Sequence, residues 1–147
     1  MARVRLAVRG MILRDGRLLL VNAYPGGVSD LWCAPGGGVE PHAGLHDNLI
    51  REVREETGLT VTVGALVLVN EFHDPDHGFH QVEMIFRCRP VGEMPAVWRD
   101  PEGIVTERRW VTEADARGLR VKPSSLIDVA FAGAAGAAYD PLERVVR

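Results

Sequence analysis

The chain has 147 residues, 46% hydrophobic and 25% charged, which is typical of a globular protein with one sizeable core. Its net charge of −3 argues against a general nucleic-acid-binding protein, so local Lys and Arg side chains or a metal ion must meet any polyanionic ligand. The cysteines Cys33 and Cys88 belong to no CxxC motif, and we see no signal peptide or membrane-spanning segment, so we expect one cytoplasmic domain over residues 1–147.

The N-terminal part predicts a β-hairpin. Residues 4–13 are rich in branched apolar side chains and are followed by Asp15-Gly16, a strong hairpin-turn signal. Residues 17–23 then predict the returning strand. Residues 31–34 form a short apolar run, in which Trp32 belongs either to the core or to the rim of a site, with the core favoured.

A helix is predicted over residues 44–57, and Gly58 is a natural C-terminal stop for it. At about 100° per residue, Leu45, Leu49 and Val53 share one face of this helix. That apolar stripe is expected to pack against the core.

Three acids lie on the same predicted helix. Glu52 and Glu56 fall at the edge of the apolar stripe, and Glu55 lies further round towards water. Acids at this spacing repel one another and lose hydration near a core, and Mg²⁺ would compensate because it takes oxygen ligands from one or two carboxylates and from phosphates. The alternative is a solvated acidic face in which Arg51 pairs with Glu55. The glycines of the preceding Pro35–Gly38 segment allow a ligand to approach the backbone, which favours the metal site, although the segment could equally be an ordinary turn.

From Gly37 onward the sequence resembles the Nudix box, G-x5-E-x7-R-E-U-x-E-E-x-G-U, in which U is a bulky apolar residue. Eight of its nine fixed positions match, namely Gly37, Arg51, Glu52, Val53, Glu55, Glu56, Gly58 and Leu59. The ninth position, a glutamate in the box, is Ala43 here. This difference concerns a supporting metal contact rather than the main cluster of acids. The resemblance to MutT-like Nudix hydrolases implies an α/β fold, an α/β/α sandwich with a mixed β-sheet.

The resemblance also implies a role for each matching residue. Glu52, Glu55 and Glu56 would bind Mg²⁺ or Mn²⁺, and Glu52 or Glu56 would also act as the general base towards the attacking water. Arg51 would orient a glutamate, which completes the expected catalytic set. The carbonyl of Gly36 is a further expected metal ligand. A bound cation would lower the pKa of its water and neutralise phosphate charge.

The remaining elements are predicted in chain order. They are a strand over 61–72, a polar loop over 73–78, a strand over 79–88, an extended loop over 89–103, a short strand over 104–111, a helix starting at 112–115, and a last helix from about 123 to 138. The start of the penultimate helix, Thr112, carries a capping pattern. Strands and helices in this order predict a mixed sheet between helices.

Two acids outside the helix are candidates for the site. Glu102 lies in a loop that could reach the metal ions, and we expect it to be a ligand. Glu83 is the other candidate, as a further carboxylate or as part of the substrate-binding surface. A plain surface charge is the alternative for both. The backbone at Gly37 and Gly38 is expected to contact the substrate.

Histidines and aromatic residues supply the last candidates. His80 stands at a strand start and is expected to donate a hydrogen bond to a diphosphate. Trp98 would stack on a base or else cover the core. The histidines of 73–80, with Asp74 and Asp76, resemble a zinc set, but a loop lacks the supported spacing that zinc prefers, so a solvated or substrate-contacting loop is favoured.

The sequence therefore predicts a Mg²⁺- or Mn²⁺-dependent hydrolase that cleaves the diphosphate of a nucleoside diphosphate linked to another group, by attack of water on phosphorus. The substrate would be a nucleotide, a nucleotide sugar or an ADP-ribose-type molecule. A Nudix-like module that binds a nucleotide without turning it over is the rival, favoured by Ala43, and a structural protein with an acidic helix face is the third interpretation. Partners would be small molecules, with neither nucleic acid nor membrane, and a homodimer is possible.

Overall fold

The computed structural model describes residues 3–133 and 136–147, and its centre is a mixed β-sheet. The strands are β1 (Val4–Arg14), β2 (Arg17–Asn22), β3 (Leu31–Cys33), β4 (Gly36–Gly38), β5 (Thr60–Asp74), β6 (Phe79–Val91), β7 (Arg108–Val111), β8 (Arg120–Val121) and β9 (Ala138–Arg144). The α-helices are α1 (Leu45–Thr57), α2 (Glu113–Arg117) and α3 (Ser125–Ala132). Among the described residues, none of these helices has the length and apolar character that crossing a membrane requires.

The sheet is mixed in direction. Its main order is β8-β3-β2-β1-β6-β5-β9, with β4 beside β1 and β7 beside β2. The neighbours β1 and β6 run parallel, whereas β5 and β6 run antiparallel. The predicted α/β fold with a mixed sheet is thus confirmed.

The sheet separates two hydrophobic clusters. Alternate residues of β2 point to opposite faces, as the two-residue period of a strand requires. Leu20 packs in the cluster that contains Leu126 of α3, and Leu19 packs in the cluster that contains Leu49 and Val53 of α1. Helices therefore cover both faces. In the predicted apolar stripe of α1, Leu49 and Val53 are buried and Leu45 is partly buried against the same cluster.

Local signals in the sequence set several element boundaries. Asp15 and Gly16 both have positive φ, 52° and 74°, which is the conformation that a tight hairpin turn requires. Gly58 ends α1 with φ 78° and donates its N–H to the Arg54 carbonyl. The side chain of Thr112 accepts the Asp115 N–H at the start of α2. The hairpin, the end of α1 and the cap of α2 are confirmed.

The predicted last helix is wrong at its C-terminal end. Helix α3 ends at Ala132, and Gly133 follows with φ 74°. Residues 138–144 instead form β9, which pairs in parallel with β5. The small side chains before β9 give a helix little apolar surface to bury, whereas the edge of β5 offers unpaired backbone groups. Residues 134 and 135 of the predicted helix lie outside the described residues.

Candidate active site

The glycine segment forms β4, which lies between β1 and α1. It pairs antiparallel with β1 through Arg9 opposite Gly36 and Val8 opposite Gly37. A Cβ atom at Gly36 would overlap the Val8 carbonyl oxygen, and one at Gly37 would lie 2.6 Å from Glu52 Oε2. Glycine at 36 therefore lets β4 approach β1, and glycine at 37 lets the Glu52 carboxylate approach β4.

Glu56 binds the backbone of the glycine segment directly. Its Oε1 atom accepts the N–H of Gly36 at 2.8 Å. Burial raises the pKa of this carboxyl to about 7, although nearby Arg9 and the Gly36 hydrogen bond act in the opposite direction. The site thus holds an acid that loses its proton near neutral pH and that a cation would stabilise in its charged form.

Glu52 is more buried than Glu56, with 9% of its surface exposed. Burial raises the pKa of its carboxyl, Arg51 lowers it, and the charges of Glu55, Glu102 and Asp100 raise it further. These acids are therefore close enough to repel one another electrostatically. A divalent cation placed among them would relieve both the burial and the repulsion.

Arg51 links several of these acids. Its Nη2 atom lies 3.4 Å from Glu52 Oε1 and 3.4 Å from Glu40 Oε1, and its Nη1 atom lies 3.3 Å from Glu55 Oε1. Ala43, at the position where the box has a glutamate, is exposed in the turn that precedes α1. Glu40, three residues earlier, thus gives Arg51 an acidic partner from the same turn.

Asn48 connects α1 to the glycine segment. Its Oδ1 atom accepts the N–H of Glu40 at 3.0 Å, and its Nδ2 atom donates to the Gly38 carbonyl at 3.1 Å. The side chain is almost fully buried. We did not single out this residue from the sequence. The signal in the sequence was its position directly before Leu49, where a polar residue adjoins the apolar stripe of the helix.

Glu102 lies in a loop whose backbone is bound by two buried polar side chains. The carboxylate of Asp100, 3% exposed as a residue, accepts the N–H groups of Glu102, Ile104 and Val105 at 2.9–3.1 Å. The Oδ1 atom of Asn22 accepts the next two N–H groups along the chain, at 3.0 and 2.8 Å. These bonds replace ladder pairing, so β7 begins at 108 rather than at the predicted 104.

The donor set fits a hard divalent cation. Carboxylate oxygens are the ligands that Mg²⁺ and Mn²⁺ prefer, and Glu52 fits against Gly37 where any Cβ would intrude. Within residues 3–133 and 136–147, no three acidic, histidine or cysteine side chains already converge on one metal position. Mg²⁺ commonly uses one or two carboxylates together with waters and substrate phosphates, so a preformed cage is not required.

A row of polar side chains lies along β1 and β6, beside the glycine segment. Arg5 Nη1 donates to Gln81 Oε1 at 2.5 Å, and Gln81 Nε2 donates to Glu83 Oε1 at 2.9 Å. Arg9 Nε contacts the same Glu83 oxygen at 2.6 Å. Glu83 is 2% exposed and the Arg9 side chain is 17% exposed, so this pair is largely buried on the Glu83 side. We predicted only Glu83 from the sequence. The spacing of Arg5 and Arg9 in an apolar strand was the missed signal.

This polar row borders a cavity of about 540 Å³. Aromatic side chains on its walls are Tyr24, Phe72 and Phe79. Its cationic side chains are Arg5, Arg9, Lys122, Arg144 and Arg147, and its acids are Asp74, Glu83 and Glu143. The lining thus combines flat apolar surface with an excess of positive charge, which suits an anionic ligand that carries a ring.

The structure places other predicted residues away from this cavity. Trp98 Nε1 donates to the Glu55 carbonyl at 2.9 Å, and its ring packs 4.8 Å from the Arg108 guanidinium carbon. Trp98 therefore borders a separate groove beside α1. His80 lies on the other face of β6, with its ring near His73 and Glu71, and does not line the cavity. In the polar loop, His77 pairs with Asp74 at 2.8 Å.

Comparison with known proteins shows one family. A family model described as NUDIX domain matches residues 3–128. The diphosphoinositol polyphosphate phosphohydrolase 3-alpha of Homo sapiens is 34% identical over 106 residues, which cover 70% of this chain and 59% of that protein. The ADP-ribose pyrophosphatase of Methanocaldococcus jannaschii is 31% identical over 86 residues, which cover 58% of this chain and 51% of that protein.

Solved structures agree on the fold. A NUDIX hydrolase from Nitrosomonas europaea superimposes with a TM-score of 0.73 at 21% identity, over 86% of this chain and 85% of that one. At this identity the likeness concerns the fold alone. The aligned part spans only 59% and 51% of the two curated relatives above, so their activities do not transfer to this chain by similarity alone.

Proposed function

The chain belongs to the NUDIX domain family, and from that premise we propose that it hydrolyses a diphosphate bond in a nucleoside diphosphate linked to another moiety. One observation carries the proposal: the buried acid Glu52 and the partly buried acid Glu56 pack against the glycines of β4, next to a cavity with an excess of positive charge. A divalent cation would stabilise the charged form of these acids, and a diphosphate brings both negative charge and metal-binding oxygens. The arrangement suits hydrolysis of an acid anhydride.

The proposed cofactor is Mg²⁺ or Mn²⁺, since members of this family generally need a divalent metal. Glu52, Glu55 and Glu56 would hold it, with Glu102 and the Gly36 carbonyl as further ligands. When bound, such an ion neutralises phosphate charge and lowers the pKa of a water molecule.

The chain's own groups would do the positioning and the proton transfer. Glu56, or Glu52 as the alternative, would accept the proton of the attacking water. Arg51 would keep Glu52 and Glu55 oriented, because it lies 3.3–3.4 Å from both carboxylates. The Gly36 N–H holds Glu56 Oε1 in place and leaves its other oxygen for the water or the cation.

The cavity would take the rest of the substrate. Arg5 lies close over Gly38, so it can reach a phosphate that extends from β4 into the cavity. Gly37 and Gly38 would let that phosphate approach the backbone, and Glu83 would keep Arg9 in place through their buried ion pair. We propose a small-molecule partner rather than a nucleic acid, because the chain has a net charge of −3 and the cavity itself is lined by five cationic and three acidic side chains.

A binding module without turnover is the second candidate. Ala43 favours this candidate, because it stands at the position where the Nudix box has a supporting glutamate. The contact between Glu40 and Arg51 speaks for the enzyme, because a neighbouring acid reaches the arginine. The chain has all three glutamates of the box helix, Glu52, Glu55 and Glu56, and a protein that only binds its ligand has less need for all three.

A substrate panel separates the two candidates. Purified protein with Mg²⁺ is incubated with nucleoside triphosphates, nucleotide sugars, ADP-ribose and a diphosphoinositol polyphosphate, and the released products are measured. We expect turnover of a nucleoside diphosphate derivative that is lost in Glu55→Gln and Glu56→Gln. Tight binding by calorimetry without product would support the binding module instead. Equal inertness of wild type and variants across the panel would refute the enzyme.

A further inference from the structure

Asn70 is an unsatisfied polar residue in the floor of the cavity. It lies on β5 opposite Glu83 of β6 and is only 3% exposed. Among the described residues, its Oδ1 atom is buried without a hydrogen-bond partner. A buried amide oxygen without a partner costs free energy, so such atoms call for an explanation.

The neighbours of Asn70 do not donate to its Oδ1 atom, because the Glu83 carboxylate can only accept and the nearby N–H donors bind other acceptors. The Oε1 atom of Glu83 accepts hydrogen bonds from Arg9 and Gln81, and the Oε1 atom of Gln81 accepts one from Arg5. The Asn70 side chain forms no hydrogen bond with any of the described residues. The amide therefore keeps an acceptor for a group that enters the cavity.

The surroundings indicate which group that is. Phe72 follows Asn70 at a spacing of two on the same strand, so both side chains face the cavity. The rings of Phe72 and Phe79 lie 5.8 Å apart and form an aromatic wall. Aromatic side chains stack on the faces of nucleobases, and an Asn amide pairs with a base edge that presents a donor beside an acceptor.

We propose that Asn70 is a specificity-determining residue that hydrogen-bonds the edge of the substrate's nucleobase, with the base stacked against the wall of Phe72 and Phe79. This inference rests on the proposed function, because it takes the substrate to be a nucleotide. It goes further, because it assigns the choice among bases to one side chain. A site built around a hydrogen-bonding amide disfavours bases whose edge leaves it unpaired.

The test is calorimetric titration with AMP, GMP, CMP and UMP in the presence of Mg²⁺, since these nucleotides have no diphosphate bond and bind without turnover. We expect the wild type to bind the four with unequal affinity, with a spread of about tenfold or more. Asn70→Leu, which is similar in size and has no polar atoms, should bring the four affinities together. Glu71→Gln is the matched control, since Glu71 is the next residue on β5, faces away from the cavity and contacts Tyr139, and its spread should remain.

Each outcome decides the matter. Four equal wild-type affinities, or an unchanged spread in Asn70→Leu, would overturn the proposed role of Asn70. The proposed hydrolysis would stand in that case, because the substrate panel tests it separately. No binding of any nucleotide, together with no turnover in the panel, would overturn the proposed function as well. Circular dichroism and the melting temperature of Asn70→Leu check that it folds. If it does not fold, Asn70→Ser, which is smaller and polar, takes its place with the same expectation of a reduced spread.

Discussion

The Oε1 atom of Glu56 accepts a hydrogen bond from the backbone N–H of Gly36 at 2.8 Å. This bond joins α1 to β4 across the position where a cation and a diphosphate would meet. It also keeps a buried carboxylate in a fixed orientation, which a flexible side chain would otherwise lose. The stability, the pH response and the activity of the protein should therefore all depend on this contact.

The pH dependence of stability is the first prediction. Burial raises the pKa of Glu56 from 4.5 to about 7, so the folded state holds a proton that the unfolded state has released. The free energy of unfolding contributed by this group is fully present below pH 4.5 and falls as the pH rises to 7, by roughly 3 kcal/mol for this group alone.

Chemical denaturation in EDTA at several pH values measures this effect. Glu56→Gln should flatten the profile between pH 4.5 and pH 7, because the amide does not titrate. Adding Mg²⁺ to the wild type should also flatten it, because a bound cation favours the carboxylate. A wild-type profile that rises with pH through this window, and is unchanged by Glu56→Gln, would contradict the prediction.

Gly37 gives the second prediction. A Cβ atom there would lie 2.6 Å from Oε2 and 2.7 Å from Cδ of Glu52, so Gly37→Ala must displace that carboxylate. We expect kcat/KM to fall about ten- to a hundredfold, as when a metal ligand loses its support. Gly118→Ala is the control, because its Cβ would meet nothing closer than 3.5 Å. Equal activities of the two variants would count against a role for Glu52.

Asp100 gives the third prediction. Its carboxylate accepts three backbone N–H groups of the loop that carries Glu102. Asp100→Ala should raise the Mg²⁺ concentration for half-maximal rate by about tenfold or more, because Glu102 is no longer held near Glu52.

Two further variants make this test specific. Asp100→Asn should recover part of the loss, since its remaining oxygen can accept the N–H groups of Ile104 and Val105. Combining Asp100→Ala with Glu102→Gln should add little, because both changes remove the same carboxylate from the site. Full additivity of the two effects would mean that Asp100 acts independently of Glu102.

The buried ion pair of Arg9 and Glu83 gives the fourth prediction. Arg9→Met leaves the Glu83 charge unpaired inside the protein and should lower the free energy of unfolding by roughly 3–5 kcal/mol. Arg9→Met combined with Glu83→Gln should restore part of that loss, because no uncompensated charge remains. Urea denaturation at pH 7 measures all three proteins, and a double variant less stable than Arg9→Met would contradict this explanation.

Elements governed by local spacing could be predicted from the sequence. The turn at Asp15-Gly16, the apolar stripe of α1 and the stop at Gly58 each depend on residues that lie close together in the chain. The acids of α1 belong to the same class, because a helix places residues three and four apart side by side. Strand β9 could not be predicted in this way, since it exists through pairing with β5.

The cavity depends on contacts between distant parts of the chain. Arg5 and Gln81 are 76 positions apart and meet only because β1 and β6 pair in parallel. Trp98 and His80 were singled out by residue type, yet the direction of a side chain follows from the strand register and the loop path, which are tertiary. Asn70 was not predicted as a site residue, because its position in the cavity follows from pairing opposite Glu83 across the sheet.

The most direct test of the metal site is an anomalous difference map, collected at the manganese edge from crystals soaked with Mn²⁺ and a non-hydrolysable nucleotide. We predict at least one peak within bonding distance of the Glu52 and Glu56 carboxylates, next to the β4 backbone, with a phosphate oxygen of the nucleotide as a shared ligand. A map with no peak near these two side chains, in crystals where the nucleotide is bound, would contradict the account.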